Sequence, residues 1–137
     1  MKIEGGCYCG NLRYEAEGEP VFKGLCHCRE CQYIAGGNAN AAIAMPADGF
    51  RFTRGEARIH RRTDLEKPAS RLFCPECGTH ILSKNPIVSG VVIIKVGTLD
   101  NPALFDKPDT AIWMSEAQAF HHVPEGVPTF PGFVPRD

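Results

Sequence analysis

Cys74-Pro75-Glu76-Cys77-Gly78, with Phe73 before it, decides how this chain is read. Two cysteines separated by Pro-Glu and followed by glycine make a knuckle, a tight turn that aims two sulfurs at one ion. The glycine supplies the backbone freedom the turn needs. Working outward, every cysteine lies in such a group: Cys7-Tyr8-Cys9-Gly10 as CxC, Cys26-His27-Cys28-Arg29-Glu30-Cys31 as CxCxxC, and Cys74 with Cys77. Seven is an odd number, which rules out a fully paired disulfide scaffold. The opening Met1-Lys2-Ile3-Glu4-Gly5-Gly6 has no apolar stretch of the kind a secretory signal requires. The expected setting is a reducing cytoplasm, where clustered cysteines are metal ligands or reactive thiols.

The rest of the composition narrows the class. At 137 residues the chain is expected to form a single domain, 1–137. Fifteen Lys and Arg against sixteen Asp and Glu leave a net charge of −1, without the basic field that nucleic acid or anionic lipid would require. The longest mostly apolar run, Val88 to Val96, is broken by Ser89, Gly90 and Lys95 and is too short to span a membrane. Fourteen Gly and eleven Pro favour turns over long helices. Alternation at Leu12–Ala16, Phe50–Thr53 and Ala57–His60 predicts half-buried strands. Short apolar runs at Val21–Leu25, Asn40–Met45, Arg71–Phe73, His80–Ser83 and Val91–Val96 predict further strands. Helical turns are expected at Cys28–Ile34 and Ser115–His121. The expected fold is all-β: one small zinc-clamped domain of short antiparallel strands, a distorted sandwich or open barrel with minor helical turns. A Pro/Gly-rich tail covers 124–137.

Two knuckles supply four thiolates and close one tetrahedral zinc; three cysteines are then left over. A structural zinc takes four protein ligands, whereas a catalytic zinc takes three and keeps one position for water or substrate. Spacing alone leaves open which knuckle joins Cys74 and Cys77. Pairing them with Cys7 and Cys9 has the merit of leaving a self-contained tripod, Cys26, Cys28 and Cys31.

The series Cys7-Tyr8-Cys9-Gly10, Cys26-His27-Cys28-Arg29-Glu30-Cys31, Phe73-Cys74-Pro75-Glu76-Cys77-Gly78 and Gly97-Thr98-Leu99-Asp100 resembles the glutathione-dependent formaldehyde-activating family, which includes the centromere protein V type. The resemblance runs from about Gly5 to Pro131. It implies a structural zinc on Cys7, Cys9, Cys74 and Cys77, and a second, open zinc on Cys26, Cys28 and Cys31, giving two Zn²⁺ per chain. It also implies a carbon–sulfur lyase type activity, like that of an S-(hydroxymethyl)glutathione synthase, with glutathione as co-substrate and formaldehyde as its electrophile. After Ile112 many relatives read like Ser-Arg/Lys-Ala-Pro-Trp, while this chain reads Ser115-Glu116-Ala117-Gln118-Ala119. A carboxylate at Glu116 would oppose an anionic tripeptide.

Three thiolates on Zn²⁺ carry a net charge of −1 and make a weak Lewis acid, so water activation is disfavoured and a thiol is the better fourth ligand. Two other classes compete: a non-catalytic zinc-stabilised binding module whose second metal is closed by a His or Asp, and a thiol- or metal-handling protein. No general base is assigned. His27 is read as packing behind the ligands, Glu30 as an exposed knuckle residue, His80 as strand packing rather than a fourth ligand, and His121 and His122 as structural. Arg58, His60, Arg61 and Arg62 read as the solvated face of an edge strand. Trp113, Phe120, Phe130 and Phe133 read as core and lid packing that can form a flap over the second zinc. Asp100 is expected to stabilise a turn.

Overall fold

The computed structural model describes residues 1–135; Arg136 and Asp137 of the expected tail lie outside them. The described residues are mostly β, with two sheets and one short helix. In chain order the elements are β1 (Lys2–Gly6), β2 (Arg13–Glu17), β3 (Phe22–Cys26), α1 (Arg29–Ile34), β4 (Asn40–Pro46), β5 (Phe50–Arg54), β6 (Arg58–His60), β7 (Ser70–Phe73), β8 (His80–Lys84), β9 (Val91–Lys95) and β10 (Thr110–Ile112). Single 3₁₀ turns follow at Val96–Thr98, Pro102–Phe105 and Met114–Glu116, and another joins β4 to β5.

A three-stranded sheet, β1-β2-β5, packs against a seven-stranded sheet ordered β10-β3-β4-β9-β8-β7-β6. The alternation in β2 sends Tyr14 and Ala16 inward and Arg13 and Glu15 outward. They meet Ile43 and Met45 of β4, Leu82 of β8 and Val92 and Ile94 of β9 in one apolar core. Strand periodicity does the rest, because successive side chains point to opposite faces. With Ile43, Met45, Val92 and Ile94 committed to the core, the alternate residues Asn40, Ala42, Ile93 and Lys95 face the other side of the large sheet. That second face is the floor of the cavity described below.

Three differences from expectation have physical causes. The strands are antiparallel except β10, which runs parallel to β3 with Ala111 opposite Leu25; the chain reaches that edge through the long Leu99–Asp109 connection rather than a hairpin. β6 was expected to be half-buried, but as the edge strand it is exposed throughout. The expected turn at Ser115–His121 is a 3₁₀ turn at Met114–Glu116, after which Ala117 is extended. The tail is tied down: Phe130 N–H donates to the Ala111 carbonyl at 2.9 Å, and Trp113 N–H to the Gly132 carbonyl at 3.0 Å. Among the described residues no helix is long and apolar enough to cross a membrane.

Candidate metal centres and cavity

The seven cysteines gather into two clusters, Cys7, Cys9, Cys74 and Cys77 in one and Cys26, Cys28 and Cys31 in the other, with the sulfurs of each within 4.8 Å of one another. A tetrahedral ion with metal–sulfur bonds of ~2.3 Å sets its ligands about 3.8 Å apart. Cys7 and Cys9 Sγ are 3.6 Å apart and Cys9 and Cys74 Sγ 3.8 Å, so the first cluster fits a tetrahedral ion. Its turns are built from backbone. Gly10 and Gly78 sit at φ of +82° and +79°, beyond the comfortable range of a residue with a Cβ. The Leu12 N–H donates to Cys7 Sγ at 3.2 Å, and the Glu76 and Cys77 N–H groups aim at Cys74 Sγ. Thr79 accepts from Tyr8 N–H, leaving its own hydroxyl to face Cys77 Sγ at 3.1 Å. That hydroxyl, with the Thr79 backbone, pushes the Cys77 thiol down to about 5. Donors converging on sulfur favour thiolates, the form that binds a metal.

The second cluster lies at the junction of β3 and α1. Cys26 ends β3, Cys28 caps α1 and Cys31 is on its first turn, where its N–H faces Cys28 Sγ at 3.4 Å. Hydrogen bonds from Cys26 and then Cys31 push Cys28 down to about 2, while Cys28 and then Cys31 drive Cys26 well above the usual thiol range. Three thiolates cannot crowd together without a cation between them, and this cluster suits one. Among the described residues no histidine, aspartate or glutamate joins the three.

They open onto a cavity of about 470 Å³, within the range of small-molecule sites. A shallower depression of about 510 Å³ around Lys84, Asn85 and Pro86 includes none of the cysteines in its lining. The floor of the cysteine cavity is the free face of the large sheet; the small side chains of Ala42 and Ser83 leave room above it, while the Phe22 ring packs over Gly24. Trp113 and Phe133 form one wall, edge to face with centroids 5.2 Å apart.

The remaining sequence candidates separate clearly. His27 is fully buried behind the tripod, with Nδ1 3.2 Å from the Ile112 carbonyl and its ring against His121. His121 is fixed by Gln118 N–H and the Gly37 carbonyl. His80 stacks on Phe73 and does not join the four-cysteine cluster. Glu30 lines the cavity and pairs with Arg62 at 3.3 Å and Arg71 at 3.7 Å. Arg62 therefore leaves the solvated edge group and borders the cavity, while Arg58 and His60 stay on the exposed edge strand. Phe120 is exposed and lies against His121. Asp100 takes both nitrogens of the Arg13 fork and ties the turn after β9 to β2. Glu116 lines the cavity, and its Oε1 accepts the Arg29 N–H at 2.9 Å at the start of α1, so the carboxylate that would oppose an anionic ligand also holds the helix. Gln32 Nε2 donates to the carbonyls of His27 and Glu116, locking that segment to the tripod helix.

Sequence reasoning missed Lys95. It lies on the cavity floor, only 8% exposed, and its Nζ has no hydrogen-bond partner among the described residues. Burial lowers the pKa of its ammonium, Cys31 opposes this, and Arg71 lowers it further. A lone lysine at an alternate position of an apolar central strand was the available signal.

Fold and site define a class: a two-sheet β protein carrying a four-cysteine and a three-cysteine cluster, each able to hold a metal ion. The chain belongs to the glutathione-dependent formaldehyde-activating enzyme family, whose profile matches residues 2–116. That match ends at Glu116, before the Pro/Gly-rich tail begins. Among solved structures, a crystal structure of a Rhodobacter sphaeroides protein has the same fold, with a TM-score of 0.60 and 21% identity over 74% of this chain and 89% of that one. None of the curated proteins matches the chain.

Proposed function

We propose that the three-cysteine cavity binds a small thiol such as glutathione and forms or cleaves its S-hydroxymethyl adduct with formaldehyde, a carbon–sulfur lyase type reaction. The observation that carries this reading is the difference between the clusters. Four sulfurs would satisfy a tetrahedral ion, whereas three sulfurs line a cavity of ligand size and would leave a zinc room for a further ligand. Cys7, Cys9, Cys74 and Cys77 would hold a structural zinc, and Cys26, Cys28 and Cys31 a second one. Zinc bound at the second set supplies a lowered pKa to an incoming thiol, and the electron-rich thiolate set keeps that sulfur nucleophilic.

The chain's own residues set the conditions for this chemistry. Trp113 and Phe133 give one side of the cavity an apolar wall, and Glu116 with Gln32 holds α1 in place. In the forward direction a carbon–sulfur bond forms, the carbonyl π bond of formaldehyde opens, and the proton lost from sulfur ends on the new hydroxyl. The reverse reaction breaks the carbon–sulfur bond and returns the proton to sulfur. Family membership supports the reaction class.

The test is metal analysis with cobalt in place of zinc. Two metals per chain are expected, and glutathione should shift the absorption bands of one. S-hydroxymethylglutathione formation and cleavage, followed by NMR, should exceed the uncatalysed rates. One metal per chain, or two indifferent to thiols, would overturn the reading in favour of a closed binding module.

A further inference from the structure

We infer that Lys95 and Arg71 form a receptor for a carboxylate on the cavity floor, so that the thiol taken by this protein is one that carries a carboxylate. The inference rests on the thiol-site reading and narrows its substrate class.

Lys95 is on β9 and Arg71 on β7, with β8 between them. Arg71 is opposite Ser83 on β8, Ser83 is opposite Ile93 on β9, and Lys95 is the next residue along the same face. The short Ser83 side chain leaves room between the two long cationic ones, and all three line the cavity. Neither cation has the partner its burial calls for. Lys95 Nζ is buried with no hydrogen-bond acceptor among the described residues. The Arg71 side chain is 16% exposed, and its ion pair reaches Glu30 at 3.7 Å, too long for a hydrogen bond. Glu30 lies nearer Arg62, which also holds Asp64.

An isolated buried charge is strongly unfavourable, and two like charges sharing one floor make it more so. The sulfurs offset only part of this, since three thiolates around a divalent ion carry a single net negative charge. The chain as a whole is at −1, so the positive charge is local to the cavity. Arg71 presents a planar fork suited to a carboxylate, and Lys95 a point charge beside the tripod. A small thiol with its carboxylate a few bonds from sulfur meets both requirements, sulfur toward the cysteines and carboxylate toward the two cations. A neutral thiol meets only the first.

The test uses the cobalt-loaded full chain, titrated with 3-mercaptopropionate and with its neutral counterpart 3-mercapto-1-propanol, in wild type, Lys95→Met and Arg71→Met. Charged hydrogen bonds of ordinary strength predict that the wild type prefers the carboxylate by roughly tenfold to a hundredfold. Each substitution should remove most of that preference while the alcohol binds as before. Equal affinities in the wild type, or a preference that survives both substitutions, would overturn the receptor. Metal content and melting temperature check that the variants fold, and Arg71→Met, the less buried of the two, carries the test if Lys95→Met does not. Propionate has a carboxylate and no sulfur, and saturation-transfer NMR follows it without thiol binding or turnover. Transfer to propionate in the wild type and its loss in the variants supports the receptor; no transfer in the wild type overturns it. Propionate binding without any thiol response would refute the thiol reading and leave the receptor standing.

Discussion

Replacing Cys77 with serine should be far more damaging than any single change at the three-cysteine cluster. The four-cysteine set joins the loop after β1 to the turn between β7 and β8, tying one sheet to the other, with Cys7 and Cys74 inside the core. A chain of 137 residues has a net stability of roughly 7 to 20 kcal/mol at typical per-residue values. Zinc binding in small zinc domains contributes on the order of 10 kcal/mol of folding free energy, comparable to the whole. At ~2.1 cal/mol/K of unfolding entropy per residue, losing even half of that lowers Tm by roughly 17 °C. Cys28→Ser disturbs only the junction of β3 with a six-residue helix. It should cost a few degrees, lose one metal and abolish the thiol response. The assay is metal content per chain beside thermal unfolding by circular dichroism, before and after chelation. A soluble Cys77→Ser protein holding two metals and melting within a few degrees of wild type would refute the division between a clamp and an open site.

Other outcomes follow from single contacts. Thr98 Oγ1 donates to the Lys95 carbonyl, so it accepts from the Tyr14 hydroxyl at 2.7 Å, and Tyr14→Phe should cost about 1 kcal/mol by urea denaturation. Burial pushes the Tyr14 phenol up to about 12, so the folded state favours its neutral form. That stability is complete below pH 10 and lost as pH rises through 12; Tyr14→Phe should flatten this alkaline limb, and an unchanged limb would contradict the assignment. Glu116→Ala removes the acceptor for Arg29 N–H and should lower stability by about 1 kcal/mol, readable as a Tm drop of a few degrees. If it instead raised stability, the carboxylate would be a free charge rather than a cap. Asp100 is held below the usual carboxylate range by Arg13, so its contribution is present above pH 3.8 and lost as pH falls through its folded value. Both side chains are partly exposed, and Asp100→Asn should cost less than ~1 kcal/mol at neutral pH.

What the sequence made legible were the features that local chemistry dictates. Each knuckle announces itself because two sulfurs and a glycine must sit within a few residues, and Tyr14 and Ala16 reveal their strand by alternation. β1 was not legible, since Gly5 and Gly6 disfavour a strand in isolation; in the assembled sheet they pair with β2, and position 5 needs glycine because a Cβ there would strike the Thr98 carbonyl and the Tyr14 ring. β10 is three residues long and owes its existence to the β3 edge it joins. Lys95 read as an interruption of an apolar strand, because only the assembled sheet shows that its alternate face lines a cavity. Arg71 was one arginine among many, and Arg62 read as part of a solvated edge group, until the β7 and β6–β7 segments brought them beside Glu30.

The two clusters differ in how much chain each draws together. Cys26, Cys28 and Cys31 belong to one short segment, whereas the other set cannot exist until Cys77 has joined Cys7. On a ribosome, five of the seven thiols emerge before the last knuckle does. The tripod can therefore capture an ion while most of the protein is still unmade, and Cys7 and Cys9 are the nearest rivals for it. Metal supply during synthesis thus bears on the outcome twice, first as an early local capture and later as the step that fastens the sheets. If the clusters hold zinc as proposed, a cell short of it should accumulate chains whose second event fails: proteins carrying one ion on the tripod, with the two sheets left unfastened.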